Sequence, residues 1–191
     1  MCVGAILTQN TAWRNVERAI ENLKQAGVLE GNAMLALPEI RLAELIRAAG
    51  YYRVKARRLR AWLQVLVRQF GGSVARMLDG ETSVVRRRLL AINGIGPETA
   101  DCMLLYAGGH LSFVVDAYTR RVFSRHGWCP PDVKHEELKQ LCETRLGRIP
   151  ASRRLDCWQD YHAQLVQVGK EFCRAREARC KACPLQPLLP P

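Results

Sequence analysis

The chain has 191 residues, 48% of them hydrophobic and 25% charged, which is enough to bury a core as one compact unit or two small lobes. Lys and Arg number 29 against 18 Asp and Glu, and the formal charge of +11 favours a polyanionic partner, either nucleic acid or an anionic membrane surface. The apolar runs are too short to span a membrane, and residues 1–7 lack the basic start of a signal peptide, so we expect a cytoplasmic protein.

Apolar residues recur every three or four positions along most of the chain, as they do on the buried face of a helix. The stripes lie in residues 13–23, 42–49, 59–70, 138–142 and 155–166. Gly50 and Gly71 follow two of these stripes as stop signals. Residues 111–115 alone look extended, and they are too few to found a sheet. The sequence therefore predicts an all-α fold.

A pair of glycines, Gly108 and Gly109, marks the expected boundary between two helical lobes. Residues 1–109 are expected to form a helical bundle, and residues 110–191 a second lobe that ends in a Cys-rich and Pro-rich tail. We expect the ligand site in a cleft between the lobes. The helical pattern starts at residue 1 without a capping residue, which indicates that a preceding segment is missing.

The most informative segment is residues 89–101, LLAINGIGPETAD, in which one helix ends, two glycines flank an apolar residue, and a second helix begins. Pro97 suits the first position of a helix, where a missing N–H costs nothing. Glu98 suits the positive end of the new helix. The segment therefore predicts a hairpin between two helices, and the alternative is an ordinary tight connection.

The two glycines of this hairpin predict a role in binding DNA. Gly94 and Gly96 permit left-handed turns and the close approach of another backbone. The N–H groups of Ile95, of Gly96 and of the first helical turn, up to Thr99, are then expected to point outward together as a phosphate-binding nest. Such contacts fix a protein on the DNA backbone without reading the base sequence.

The hairpin and three further segments resemble the helix-hairpin-helix DNA glycosylases, the HhH-GPD superfamily that includes endonuclease III. The similar segments are residues 4–11 (GAILTQNT), 50–56 (GYYRVKA) and 114–122 (VVDAYTRRV), and the tail resembles the iron–sulfur loop of that family. The resemblance implies a nucleoid-associated DNA N-glycosylase of base excision repair, acting as a monomer on double-stranded DNA that contains a damaged base. Members usually have another helix ahead of the point where this chain starts.

Asp116 follows the extended residues 111–115 and precedes a helical run. An aspartate at such a place commonly caps the helix, and the helix N–H groups orient it and keep it ionised. By the resemblance, Asp116 is the catalytic carboxylate. Cleavage of the glycosidic bond passes through an oxocarbenium-like sugar, which a nearby carboxylate stabilises while it orients or deprotonates the attacking water. The target base must first be flipped out of the duplex.

Glu98 bears on the type of reaction. By the resemblance, members that also cut the strand carry a lysine at this place in the hairpin, and its amine forms a Schiff base with the sugar, which a carboxylate cannot do. We therefore predict a monofunctional glycosylase. Ala5 stands where the adenine-mismatch branch has a glutamate, which argues against that branch. Two alternatives stay open, an endonuclease III-like glycosylase for oxidised or mismatched pyrimidines with AP lyase activity, and a non-catalytic DNA-binding hairpin module.

The most similar branch comprises the endonuclease-III-like 3-methyladenine glycosylases, whose substrates are alkylated and often cationic purines, and Glu98 matches the acidic residue of their hairpin helix. Trp13 matches an aromatic that would stack on a cationic base, although an aromatic at helical spacing is usually part of a core. Lys170 matches a lysine of their base pocket, and its alternative is an exposed surface lysine. Gln9 either fills the gap left by the flipped base or is a polar residue at a helix end.

The eight cysteines suggest a metal site rather than disulfides, because cytosolic thiols stay reduced. Cys173, Cys180 and Cys183 have six and then two residues between them. The resemblance implies a [4Fe-4S] cluster whose fourth cysteine follows after five more residues, where this chain has Leu189. The three spaced cysteines favour a cluster. Zinc would also need a fourth ligand, and the remaining alternative is a degenerate loop with free thiols.

Overall fold

The computed structural model describes residues 1–190, which fold into helices joined by turns and loops. The helices are α1 (Cys2–Leu7), α2 (Trp13–Gln25), α3 (Gly31–Ala36), α4 (Glu39–Leu45), α5 (Tyr52–Phe70), α6 (Val74–Met77), α7 (Thr82–Leu90), α8 (Pro97–Met103), α9 (Ala117–Arg125), α10 (His135–Leu146) and α11 (Ala151–Glu171). A π-helix, Leu104–Gly108, continues α8, and short 3-10 turns occupy Arg47–Ala49, Cys180–Ala182 and Gln186–Leu188. No sheet forms within the described residues, so the predicted all-α class is confirmed.

The predicted apolar stripes lie in α2, in α4 and the 3-10 turn after it, and in α5, α10 and α11, and most of their apolar side chains are buried. Residues 111–115 are not helical and form no strand. None of the described helices is both long and apolar enough to cross a lipid bilayer. The fold is thus built from amphipathic helices whose apolar faces pack against one another.

The described chain divides into two compact units, and the first comprises Met1–Gly108. Its central helix is α5, which packs against α1, α3, α4 and α6 and buries Leu59 and Leu63 completely. Helix α5 ends at Gly71, which takes a left-handed φ of 59° and donates its N–H to the carbonyl of Val67. The glycine predicted as a stop signal therefore ends this helix.

A buried lysine fixes α1 on α5. Lys55 is 1% exposed, and its ammonium donates to the carbonyls of Leu7 (2.8 Å) and Ala49 (2.7 Å). Burial, together with the charge of Arg58, lowers the pKa of Lys55 from 10.5 to about 8. Because Leu7 is the last residue of α1, this contact also holds Gln9, two residues further on, relative to the rest of the unit.

The second unit begins at Gly109, and its main packing is between α9 and α11. The two helices approach closely at Gly169 of α11, because a Cβ atom there would lie 2.4 Å from Cδ1 of Tyr118 in α9. Glycine at this position therefore sets the spacing between the two helices.

An extended segment leads into α9 and is anchored by α10. Phe113 and its two successors are buried. The N–H of Phe113 donates to Glu143 (2.9 Å), and the ammonium of Lys139 donates to the hydroxyl of Ser112 (2.8 Å) and the carbonyl of Phe113 (3.3 Å). These contacts satisfy the polar groups of a buried, irregular segment and so fix the approach to Asp116.

Candidate DNA-binding and active site

The hairpin between α7 and α8 has part of the backbone geometry that its glycines predict. Gly94 has a φ of +88°, and the N–H of Ile95 closes the turn by donating to the carbonyl of Ile92 (3.0 Å). Gly96 is the exposed N-cap of α8, with a φ of −92°. The expectation that the Ile95 N–H points outward is therefore wrong, because the turn itself uses that donor. The part of the hairpin that is exposed to solvent consists of Gly96 and the first residues of α8.

Side-chain hydrogen bonds hold this hairpin against the rest of its unit. The amide of Gln9 donates to the carbonyl of Gly94 (3.1 Å) and to the hydroxyl of Thr99 (2.9 Å). The guanidinium of Arg58 donates to the side-chain oxygen of Gln9. A Cβ atom at Gly94 would lie 2.3 Å from Cγ of Arg58, so the glycine leaves the space that Arg58 occupies.

An ion pair joins the two helices of the hairpin. Nε of Arg86, in α7, donates to one carboxylate oxygen of Asp101 in α8 (2.7 Å), and Nη2 donates to the other (3.2 Å). The Asp101 side chain is completely buried. Because a buried carboxylate is costly without a partner, this two-pronged pair fixes α7 against α8.

The structure places the predicted residues of the first unit in different surroundings. Thr99 is 5% exposed and its hydroxyl faces Gln9, so the Thr99 side chain is not on the hairpin surface. Gln9 itself is bound to the hairpin. Glu98 is the exposed second residue of α8. Trp13 begins α2 and is 44% exposed, and its ring packs against Gly4, where a Cβ atom would lie 3.3 Å away.

Asp116 is the N-cap of α9. One of its carboxylate oxygens accepts a hydrogen bond from the N–H of Thr119 (2.7 Å), and the other lies 3.8 Å from Nε2 of His162 in α11. The side chains of Asp116 and His162 are each 11% exposed. The capping role is therefore present, and the same carboxylate is held, nearly buried, at the start of a helix.

The surroundings of Asp116 keep its carboxylate ionised. Burial raises the pKa of Asp116, but His162 and the N–H and side chain of Thr119 together lower it by more, so that it falls below its ordinary value of 3.8. At neutral pH the group is an anion in a largely water-excluded place. Such an anion is suited to stabilise a cation that develops beside it and to accept a proton from water.

Lys170 lies at the end of α11 and is exposed. The preceding residue, Gly169, contacts Tyr118, two positions after Asp116 in the chain. Lys170 and Asp116 thus belong to the same packed pair of helices, α9 and α11.

The three cysteines of the tail do not form a metal-binding group. Cys173 is buried, Cys180 is exposed and Cys183 is partly buried. Among the described residues, no three His, Cys, Asp or Glu side chains are arranged to hold a metal ion. Leu189 supplies no fourth thiolate. The donor set therefore does not fit the [4Fe-4S] cluster that the spacing favoured, since a cubane cluster needs four ligands.

Two arginines of α9 hold the start of the tail. Nε of Arg121 donates to the carbonyl of Cys173 (2.6 Å). The guanidinium of Arg125 donates to the carbonyls of Arg174 (2.7 Å) and Ala175 (3.0 Å). We call these two residues the arginine clamp. The clamp holds the start of the tail through backbone carbonyls, and Arg125 also contacts the sulfur of Cys173 (3.4 Å).

Two residues of functional interest are absent from the sequence-based prediction. His162 is far from Asp116 in the chain, so only the packing of α11 on α9 brings the two together. Tyr51 is 73% exposed and has a left-handed φ of 44°. A strained backbone that carries an exposed aromatic ring is a candidate for contact with a nucleic-acid base. In the sequence, Tyr51 directly follows Gly50 in the segment GYYRVKA, which resembles the family.

An all-α fold with a glycine hairpin at one helix start and an ionised carboxylate at another is the architecture of the helix-hairpin-helix DNA glycosylases. A family model described as "HhH-GPD superfamily base excision DNA repair protein" matches residues 3–148. The chain belongs to this family, and the resemblance drawn from the sequence is confirmed. A putative DNA repair glycosylase from Methanocaldococcus jannaschii is 46% identical over 185 residues, covering 96% of this chain and 81% of the relative.

The fold is shared with solved structures. A trapped endonuclease III–DNA covalent intermediate has a TM-score of 0.80 and 25% identity, covering 98% of this chain and 80% of that chain. The H. pylori 3-methyladenine DNA glycosylase bound to 1,N6-ethenoadenine has a TM-score of 0.77 and 27% identity, covering 89% of this chain and 83% of that chain. The protein is accordingly a DNA-binding enzyme, an endonuclease III-like DNA glycosylase of base excision repair.

Proposed function

We propose that this glycosylase is monofunctional, acts as a monomer, and hydrolyses the bond between an alkylated purine of the 3-methyladenine type and its sugar in double-stranded DNA. The observation that carries the proposal is the carboxylate of Asp116, nearly buried at the start of α9 and kept ionised by its contacts. Asp116 is the catalytic residue in this proposal.

The reaction needs a base outside the stack, because the sugar carbon C1′ is out of reach within the duplex. As the bond from C1′ to the base nitrogen breaks, its electron pair leaves with the base and positive charge develops on the sugar. Asp116 stabilises that charge and takes a proton from the attacking water, whose oxygen bonds to C1′. A cationic alkylated base leaves as a neutral molecule, so the reaction needs little acid catalysis.

The placement of the amines supports a monofunctional reaction. Glu98 provides a carboxylate, not an amine, at the start of α8. Lys55 has a lowered pKa, but its ammonium is buried and donates to two carbonyls. Lys139 is likewise buried and paired with Glu143. Neither lysine is accessible as the nucleophile of a Schiff base. Lys170 is exposed and is the amine to test.

The choice of an alkylated purine rests on Trp13 and on one structural neighbour. The Trp13 indole is 44% exposed, and an electron-rich ring attracts a cationic base by cation–π stacking. The H. pylori enzyme of similar fold carries the name of 3-methyladenine DNA glycosylase. In this proposal, the substrate-binding residues also include Gln9, Glu98 and Lys170. Gly96 and the start of α8 contact the DNA backbone.

A second candidate is a glycosylase for oxidised or mismatched pyrimidines with AP lyase activity. It is favoured by the similarity to a trapped covalent intermediate between endonuclease III and DNA. The carboxylate of Glu98 argues against this candidate, because a carboxylate cannot form a Schiff base with the sugar.

A panel of duplexes, each with one defined lesion, distinguishes the two candidates. Free base and strand nicking are scored separately, and borohydride is added to trap any imine. We expect release of alkylated purines, no trapped adduct, and strand breakage only after alkali. Release of oxidised pyrimidines together with a trapped band that disappears in Lys170→Ala would favour the lyase candidate. Failure to release any base would contradict both.

A further inference from the structure

The two oxygens of the Asp116 carboxylate are held from different directions. The N–H of Thr119, in the same helix, binds one oxygen, and the ring of His162, from α11, faces the other at 3.8 Å. This second distance is too long for a formed hydrogen bond and within the range of an ion pair. Contacts of this kind in a free enzyme commonly shorten when substrate binds.

We propose that His162 is a positioning residue that sets the orientation of the Asp116 carboxylate for glycosidic cleavage. The proposal rests on the proposed function, because it takes the carboxylate of Asp116 to be the group that meets the sugar. His162 acts through Asp116, and it makes no contact with the sugar in this scheme.

The imidazole ring is itself held in place by aromatic packing. Phe113 lies edge-on to it, with ring centroids 6.4 Å apart and an interplanar angle of 90°. Phe113 also packs on Trp158 and Tyr161 of α11, and its N–H is bound by Glu143. The segment before Asp116 and the helix that contains His162 therefore pack against each other through Phe113. This packing restricts the distance between Asp116 and His162.

Close packing further along α11 has the same effect. Gly169, two turns after His162, lets α11 touch Tyr118 of α9. A side chain at position 169 would push the helices apart and lengthen the distance from His162 to Asp116. The distance from His162 to Asp116 therefore depends on a helix contact two turns away. Such packing is expected where one side chain orients another, and it is not needed for a surface ion pair.

Three charged side chains on the neighbouring elements have partners of their own. Arg121 of α9 donates to the carbonyls of Cys173 and Gly169. Lys139 and Glu143 of α10 bind each other. His162 is the ionisable side chain whose charge acts on Asp116, where it lowers the pKa of the carboxyl against the opposing effect of burial.

The sign of the pH effect follows from these contributions. With His162 replaced by leucine, burial still raises the pKa of Asp116, and the contribution of the imidazole is lost. The carboxylate then takes up its proton at a higher pH than in the unaltered enzyme. The acidic limb of the rate profile should move upward in pH by the same amount.

The test uses the full chain and two independent readouts. One is the pKa of Asp116 from its carboxyl carbon signal in NMR, assigned with Asp116→Asn. The other is single-turnover base release as a function of pH, on the duplex that the lesion panel identifies. For His162→Leu we expect a raised Asp116 pKa, an acidic limb moved to higher pH, and a loss of about 10- to 100-fold at pH 7. His162→Gln keeps a side-chain N–H but no charge, so we expect a smaller loss of rate and a smaller rise in the pKa of Asp116. If the leucine variant does not fold, an unchanged Asp116 pKa and acidic limb in His162→Gln would overturn the proposal.

The matched control is His126→Leu, which also removes a buried imidazole from the second unit. His126 contacts the carbonyls of Val122 and Leu185, and we expect its loss to leave the acidic limb in place. An unchanged Asp116 pKa and limb in His162→Leu, or an equal shift in His126→Leu, would overturn the proposal. If the unaltered enzyme releases no base, the proposed function fails, while the NMR titration still decides whether His162 acts on Asp116.

Discussion

The hairpin of the first unit and the carboxylate of the second are built by different means. The conformation of the hairpin depends on the left-handed backbone of Gly94, with a φ of +88°, and on the hydrogen bonds that the neutral amide of Gln9 donates to it. At Asp116, the determining contacts are with a backbone N–H and an ionisable ring. A change of backbone shape should therefore impair the function of the hairpin, and a change of charge should impair the function of Asp116.

This difference separates binding from chemistry. A region fixed by shape gives DNA contacts that change little with pH, apart from the general effect of salt on phosphate binding. A region fixed by charge gives a rate that depends on pH through a single carboxylate. Substitutions in the two regions should consequently affect different measurements.

The largest expected effect is that of Asp116→Asn. The variant keeps the shape and a side-chain acceptor for the Thr119 N–H, but it loses the negative charge that stabilises the developing cation. We expect base release to fall by about 10²- to 10⁴-fold while the affinity for DNA stays nearly unchanged. Single-turnover kinetics and a binding titration on the same duplex measure the two quantities. Asp160→Asn, an exposed site on α11, is the control, and near-normal turnover by Asp116→Asn would refute the assignment.

The next effect is on stability and concerns Gly94. An alanine at this position combines an unfavourable left-handed φ with a contact 2.3 Å from Arg58, for which we expect a loss of about 2–4 kcal/mol in the free energy of unfolding. Denaturant unfolding measures it. Arg58→Ala removes the two closest atoms, Cγ and Cδ, but leaves its Cβ at 3.0 Å and leaves the φ unchanged, so the double variant should recover part of the loss. No recovery would show that the Arg58 side chain does not crowd the turn.

A smaller effect on binding is expected at Gly96. Its φ suits any residue, and a Cβ atom there would meet nothing within 4 Å, so Gly96→Val should leave stability almost unchanged. The added methyl groups lie at the exposed start of α8 and should keep the DNA backbone at a distance, weakening binding by about 10-fold. Titration at fixed salt checks this. Equal affinity in Gly96→Val would remove the hairpin from the DNA interface.

The smallest effect on function, and the simplest to measure, concerns the tail. Because the side chains of the three cysteines are not arranged to hold a metal ion, we expect the purified protein to contain fewer than four iron atoms per chain. Leu189→Cys restores the fourth thiolate at the family spacing and should raise iron and acid-labile sulfide, with base release unchanged. Leu188→Cys, one position earlier, is the control. A full complement of iron in the unaltered protein would show that three thiolates suffice.

The sequence predicts those features that depend on neighbours in the chain. Apolar spacing identified the long helices because each helix buries one face. The hairpin is predictable because its glycines and Pro97 are close together in the chain, and the capping position of Asp116 is predictable because it directly precedes α9. Each of these is a local pattern.

Features that join distant segments could not be predicted in this way. The bonds from Gln9 to Gly94 and Thr99 depend on how α1 packs against α8, and no local pattern specifies that packing. The approach of His162 to Asp116 depends in the same manner on α9 and α11. The Ile95 N–H differs from the expectation because a glycine pattern predicts a turn without specifying which N–H groups the turn uses in its own hydrogen bonds. Correct spacing of cysteines likewise did not imply convergence of their sulfur atoms.

The arginine clamp has a bearing on how the enzyme withstands oxidants. Guanidinium groups and backbone carbonyls do not change with redox potential, whereas thiolates and iron–sulfur clusters do. Arg121 and Arg125 hold the start of the tail mainly through carbonyls, while the contact of Arg125 with the sulfur of Cys173 involves a group that an oxidant can alter. We therefore expect the order of the residues that follow α11 to depend little on the redox state of the solution.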